Sequence, residues 1–231
     1  MLVAATAVPH AWVLRPGPLR RGAHEPAGTL RATARAVVRD RHFVWVTSGI
    51  ALNYLALAVA AVHLYPFLVE AGHPPARAAV ATGALGVLSV AGRVLVTVLV
   101  VRRPMALVAA GTFVGQAVGV GVLVADPGGT VPVVVFVLLF GLGFGVGTLA
   151  RPALVAEAHG VATFATVSAL MGIAVTLAKV LGPAAAGVGR GASGGYLLPW
   201  VGVGLCCLLA AVALVAAQRA GSSAATVSRA V

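Results

Sequence analysis

The 231-residue sequence predicts an all-α membrane protein of six transmembrane helices. Three observations carry this. Charged residues make up 9% of the chain and apolar residues 60%, whereas a soluble domain carries about 25% charged residues. So few charges cannot cover a water-facing surface, so the solvent for most of the chain is lipid. Six long runs nearly free of charge recur along the chain, and the arginines between them are distributed very unevenly.

The first run, Phe43 to Val69, predicts a span over about 43–67. The second, Ala78 to Val101, is broken only by Arg93 and predicts a span over 78–101. Pro104 to Ala125 predicts 104–125, and Pro127 to Ala150 predicts 130–150. Gly160 to Gly189, broken only by Lys179, predicts 160–188. Gly191 to Gln218 predicts the last, over 195–217, within a membrane domain of 42–217. Each run is long enough to cross a hydrocarbon core of ~30 Å at 1.5 Å per residue. Backbone groups in lipid must satisfy one another, so each run is expected to be helical. The ~10-residue alternating segments of a membrane barrel are absent.

Six crossings put both ends of the chain on one side. That side then carries Arg15, Arg20, Arg21, Arg31, Arg35, Arg39, Arg41, Arg102, Arg103, Arg151, Arg219 and Arg229. The other side carries only Arg77 and Arg190. The positive-inside rule makes the arginine-rich side cytoplasmic, with both termini there, in a multi-pass protein of the cell membrane. Trp45 would anchor the inner interface, and Tyr65, Tyr196 and Trp200 the outer one.

Residues 9–41 form a cytoplasmic linker, first rich in Pro and Gly (Pro16, Gly17, Pro18, Gly22). From Thr29 onward, Arg31, Arg35 and Arg39 recur every four residues opposite Leu30, Ala34, Val37 and Val38. That pattern predicts a short basic amphipathic helix on the inner leaflet, or a simple solvated charge run. Residues 1–8 are apolar but too short to span, and 218–231 form a cytoplasmic tail.

The net charge of +11 raises nucleic acid as a partner. The basic residues are scattered between apolar runs rather than gathered on one solvated face, which excludes that class. Cys206 and Cys207 are adjacent on a predicted helix, where their side chains diverge, so they read as packing residues. No metal-ligand spacing, cofactor motif or Ser/His/Asp set is present, which argues against an enzyme and implies no cofactor.

Glycines mark where helices can approach closely. Gly111, Gly115 and Gly119 form a ridge at four-residue spacing. Gly141, Gly143, Gly145 and Gly147 lie in the fourth run, without the Lys-Ser/Thr of a nucleotide loop, and read as packing or bending positions. Gly182-Pro183 predicts a kink, a break or the end of the fifth helix.

Polar groups inside the spans are the candidate site. A charge at a helix centre costs ~2.5–3.5 kcal/mol on insertion scales, so Arg93 needs a purpose. Thr82, Ser89, Arg93 and Thr97 fall on one helical stripe, which predicts a wall lining a cavity. Lys179 either lines the same cavity or snorkels toward the surface. Asn53 either contacts a substrate or bonds a neighbouring helix, and Gln116 reads as interhelical glue. His63 and Tyr65 form an outer vestibule or an interfacial anchor. With no Asp or Glu inside a span, Arg93 and Lys179 point to an anionic small-molecule substrate.

Several stretches resemble the major facilitator superfamily of transporters. His63-Leu-Tyr-Pro-Phe-Leu-Val-Glu-Ala-Gly72 with Ala78-Ala79 is similar to that family's seventh-to-eighth helix region, and Ser89-Val-Ala-Gly-Arg93 to its eighth helix. Phe140-Gly-Leu-Gly-Phe-Gly145, Arg151-Pro152 and Glu157-Ala-His-Gly160 resemble the tenth helix and the loop after it. Leu181-Gly-Pro183, Gly187 and Tyr196 resemble the end of the eleventh helix and the start of the twelfth. The likeness covers about 40–217 and is closest to the monocarboxylate or oxalate/formate-like branch. It implies the carboxyl-terminal six-helix half of a transporter, working by alternating access with a second half, from a separate chain or a second copy. It implies that residues 1–8 are the stub of a preceding helix and that Arg93 contacts an anionic substrate. Ser89 stands where the family often has an acid. The family's G-x-x-x-D-R latch is reduced to Thr97 through Arg102, without its Gly and Asp. A truncated, inactive fragment is the second reading, and a membrane enzyme or scaffold the third.

Overall fold

The computed structural model describes the backbone of residues 34–229, and the side chains of all of these except 158–163 and 221–229. The expected stub at 1–8 and the linker up to residue 33 lie outside these residues. The described residues are helical, with no strand among them. This is what a bilayer demands of a chain whose backbone groups have no water to bond.

A short helical segment, 34–39, turns Val37 inward while Arg35 and Arg39 stay exposed. Asp40 then caps α1 (Arg41–Glu70), its carboxylate accepting the His42 N–H at 3.0 Å. This fills one of the donor positions that a helix start leaves empty. Gly72, at φ 93°, turns the chain into α2 (Pro75–Leu99). Proline suits that first position because no N–H is needed there. Next come α3 (Met105–Ala125), α4 (Thr130–Ser193) and α5 (Leu197–Arg229).

The 64-residue α4 contains two spans, Thr130–Glu157 and Phe164–Ser193. They are limbs of a hairpin. Arg151 Nη2 donates to the Ser168 carbonyl at 3.0 Å, although 17 residues of straight helix would separate the two by ~25 Å. Both limbs also reach the middle of α1: Gly147 lies against Asn53 and Gly182 against Leu55. The helix therefore reverses between its limbs. Pro183 neither breaks nor ends the second limb, which continues ten residues further, to Ser193. Gly194, in the left-handed conformation at φ 72°, stops it.

Counting both limbs, six helices among the described residues are long and apolar enough to cross a membrane. The first limb of α4 is the most enclosed, with α1, α2 and α3 gathered around α4 and α5 packed on α1 and α3. Two helices stand apart. Only 28% of the apolar window of α2 and 17% of that of the second α4 limb are buried, against 44–56% for the others. Their outer faces are lined by Val80, Val87, Val94, Ile173, Leu177 and Val180.

The outer-interface role expected for Tyr196 and Trp200 does not hold, because both are buried. They belong to an aromatic chain running inward. Phe67 meets Tyr196 and Trp200 at 5.6 and 5.2 Å, Trp200 meets Phe136 at 5.4 Å, and Phe136 stacks on Phe140 at 4.9 Å. Such offset and edge contacts favour aromatic rings over lipid neighbours. Trp45 and Tyr65 are exposed, as interfacial residues are.

Candidate functional site

Glycine spacing organises the centre of the bundle. In the first limb of α4, Gly141 and Gly145 are four apart and face α2. A Cβ on Gly141 would stand 2.7 Å from Leu88 Cβ, and one on Gly145 would strike the Ser89 carbonyl. From the other side, a Cβ on Gly92 would strike the Leu142 carbonyl. Here α2 and α4 cross backbone to backbone, the arrangement that small residues permit in membranes. Gly143 and Gly147, on the alternate face, make room for two amides. Their Cβ atoms would lie 2.5 Å from Gln116 Cδ and 2.8 Å from Asn53 Oδ1.

Those amides form a bridge of three helices. Asn53 Nδ2 on α1 donates to Gln116 Oε1 on α3 at 2.7 Å, and Gln116 Nε2 donates to the Phe140 carbonyl on α4 at 3.3 Å. Both side chains are fully buried. Asn53 Oδ1 has no partner among the described residues. In this conformation Asn53 is committed to a neighbouring helix and closed to solvent.

One residue further along α1 lies Tyr54, which the sequence reading did not single out. The Lys179 ammonium stands over its ring, 4.6 Å from the centroid, and Arg151 is within electrostatic reach. Lys179 is exposed and Arg151 half-buried. No ion pair joins either to a carboxylate among the described residues; the Arg190–Glu70 pair, at 2.6 Å, lies elsewhere. Two cations thus stand near one aromatic ring with neither paired to a carboxylate among the described residues, Lys179 on the least covered limb and Arg151 on the most enclosed one. Arg151 was expected in a connection, but α4 continues through it. The missed signal was Tyr54 itself, a phenol placed mid-run beside Asn53.

The polar stripe of α2 is divided. Ser89 is buried against α4, its hydroxyl donating to Gly86 O at 2.7 Å. Thr82 donates to Ala78 O at 2.9 Å, and Thr97 to Arg93 O at 2.8 Å. These hydroxyls satisfy themselves on their own helix and do not need a cavity. Arg93 and Thr97 are exposed. Arg93 sits at the edge of the crossing, its N–H 3.0 Å from where a Gly145 Cβ would be. No contact joins Arg93 to Lys179; they belong to the two separate uncovered helices.

Other candidates also resolve. His63 bonds the Pro183 carbonyl through Nε2 at 3.0 Å and meets Tyr196 edge-on at 5.8 Å. It ties α1 to the second limb of α4 beside Gly182, whose Cβ would stand 3.0 Å from the Leu55 carbonyl. Of the α3 ridge, Gly119 packs on Leu139 and Phe136, Gly115 barely reaches Leu139, and Gly111 faces open space. Cys207 is buried, Cys206 half-buried, and neither forms a disulfide. Among the described residues, no cluster of three His, Cys, Asp or Glu could hold a metal ion.

Among the described residues, the six apolar helices around this buried polar centre have the character of an all-helical, multi-pass membrane protein. No known family profile and no curated protein matches the chain.

Proposed function

We propose that the chain is one half of a membrane transporter that moves a small organic anion by alternating access. One observation carries the reading. The two in-span cations expected from the sequence, Arg93 and Lys179, lie exposed on the two least covered helices, α2 and the second α4 limb. Neither has a carboxylate partner among the described residues. An unpaired charge facing hydrocarbon is costly, so these helices are best accounted for if they face a partner or a water-filled path. In this reading a second six-helix half, from another chain or another copy, covers the Arg93 side of α2 and the Lys179 side of the second α4 limb. The substrate anion then sits between the halves, near mid-membrane, against Lys179, Tyr54, Arg151 and Arg93. The Asn53–Gln116 bridge holds the half rigid as it rocks. The unit corresponds to the carboxyl-terminal half of the major facilitator fold, in the cell membrane with both termini cytoplasmic. The order of the motifs from His63 to Tyr196 and the arginine asymmetry support that placement.

Uptake of carboxylate anions into vesicles containing the chain, with and without Arg93→Ala and Lys179→Ala, tests it. The reading expects uptake that either change abolishes. Uptake indifferent to both changes overturns the site. No uptake under any partner arrangement favours the inactive fragment. A measured chemical conversion without solute movement favours the enzyme.

A further inference from the structure

A cavity of about 980 Å³ lies between the N-terminal halves of α2 and the first α4 limb, and none of Tyr54, Lys179, Arg151 or Arg93 lines it. Val80, Ala84 and Val87 form one wall, Val133 and Val137 the other, and Leu68 of α1 the floor. Its lining is almost wholly apolar apart from the mouth, where Arg77 and His73 stand.

The shape decides what fits. From Arg77 to Leu88 the α2 wall is eleven residues long, ~16 Å, or about half of a ~30 Å hydrocarbon core. At Leu88 the groove is closed by Gly141, where α2 and α4 come into contact. A transmembrane helix from a second copy needs the full thickness and cannot lie in a groove shut halfway. An acyl chain of one leaflet ends at that depth. At the mouth, Arg77 is exposed and is ion-paired to no carboxylate among the described residues. The nearest acid along the chain, Glu70, pairs with Arg190. The His73 imidazole bonds the Pro127 carbonyl at 2.9 Å, tying the α1–α2 turn to the α3–α4 turn and holding the mouth in shape. Cationic side chains at a membrane surface attract anionic headgroups.

We propose that this groove binds an anionic phospholipid, with an acyl chain against Val80, Ala84 and Val137 and the phosphate on Arg77. The proposal rests on the membrane fold alone and not on the transport reading.

The test titrates the purified chain in detergent with dioleoylphosphatidylglycerol or dioleoylphosphatidylcholine and counts bound lipid by native mass spectrometry. The wild type should retain the anionic lipid about fivefold more than the zwitterionic one, the preference expected of one surface arginine. Arg77→Gln should bring the ratio to about one. Gly83 lines the groove and has open space where a Cβ would stand, so Gly83→Phe should lower retention of both lipids. If that variant does not fold, Ala84→Phe replaces it. Equal retention of the two lipids by the wild type, or an unchanged ratio in Arg77→Gln, overturns the headgroup assignment. Filled-groove variants that retain both lipids overturn the acyl site. So does disulfide cross-linking between two copies through a cysteine placed at Val80.

Discussion

Asn53 Nδ2 donates to Gln116 Oε1 at 2.7 Å between two helices, joining residues 63 apart in sequence, and both side chains are fully buried. Hydrogen bonds of this kind in membrane proteins average ~0.6 kcal/mol and reach ~1.7 by double-mutant cycles. Asn53→Leu and Gln116→Leu should each lower the unfolding temperature in detergent. The double variant should cost less than the sum, with a coupling of about 0.6–1.7 kcal/mol. A coupling near zero would show that the bridge holds nothing together.

The crossing of α2 and α4 predicts opposite outcomes for neighbouring glycines. Gly92→Ala and Gly145→Ala drive a methyl into a carbonyl of the facing helix. Each should cost ~1–3 kcal/mol as overpacking does. Gly86→Ala meets no neighbouring atom and should be neutral or stabilising. Thermal unfolding of the three variants, side by side, checks the contrast.

Arg151 closes the α4 hairpin through the Ser168 carbonyl. A hydrogen bond from a charged donor is worth ~1.5–3 kcal/mol. Arg151→Leu should therefore loosen the reversal. Limited proteolysis between 157 and 164 should speed up severalfold, while cleavage elsewhere stays unchanged.

By contrast, the Arg190–Glu70 pair is about half exposed on both sides, with side-chain exposures of 47% and 45%. Exposed pairs contribute ~0–1 kcal/mol and weaken with salt. Glu70→Gln should shift stability only slightly, and the shift should vanish near 1 M salt. A large, salt-independent loss would mean that the Arg190 contact over the Tyr196 ring, at 4.8 Å, depends on the carboxylate.

The positions of the membrane helices were largely legible because charge-free runs of span length are a one-dimensional signal. Pro183 was legible only in part: of the kink, break or helix end expected there, the break and the end fail because the helix runs on to Ser193, as a membrane helix can where neighbours take up the freed groups. The loop expected at Arg151 failed for a related reason: a charge ends an apolar run without ending the helix beneath it. Partner choice was illegible too. Nothing in Gly141-Leu142-Gly143-Phe144-Gly145-Val146-Gly147 says that alternate glycines serve α2 and the Asn53–Gln116 amides. Nor does the even spacing of Gly111, Gly115 and Gly119 show that only the last is tightly covered. Of the site, the charges Arg93 and Lys179 stood out by cost, whereas Tyr54 is an ordinary membrane residue until a cation is seen above it.

The backbone contact at Gly92, Leu142 and Gly145 gives α2 and the first α4 limb a fulcrum. Neither helix can slide along the other there without an atomic collision. Relative motion between them is left with rotation about that point. Rocking about that point parts the two helices at one membrane surface and brings them together at the other, so the width of the groove near Arg77 and the spacing near Thr97 should change in opposite directions.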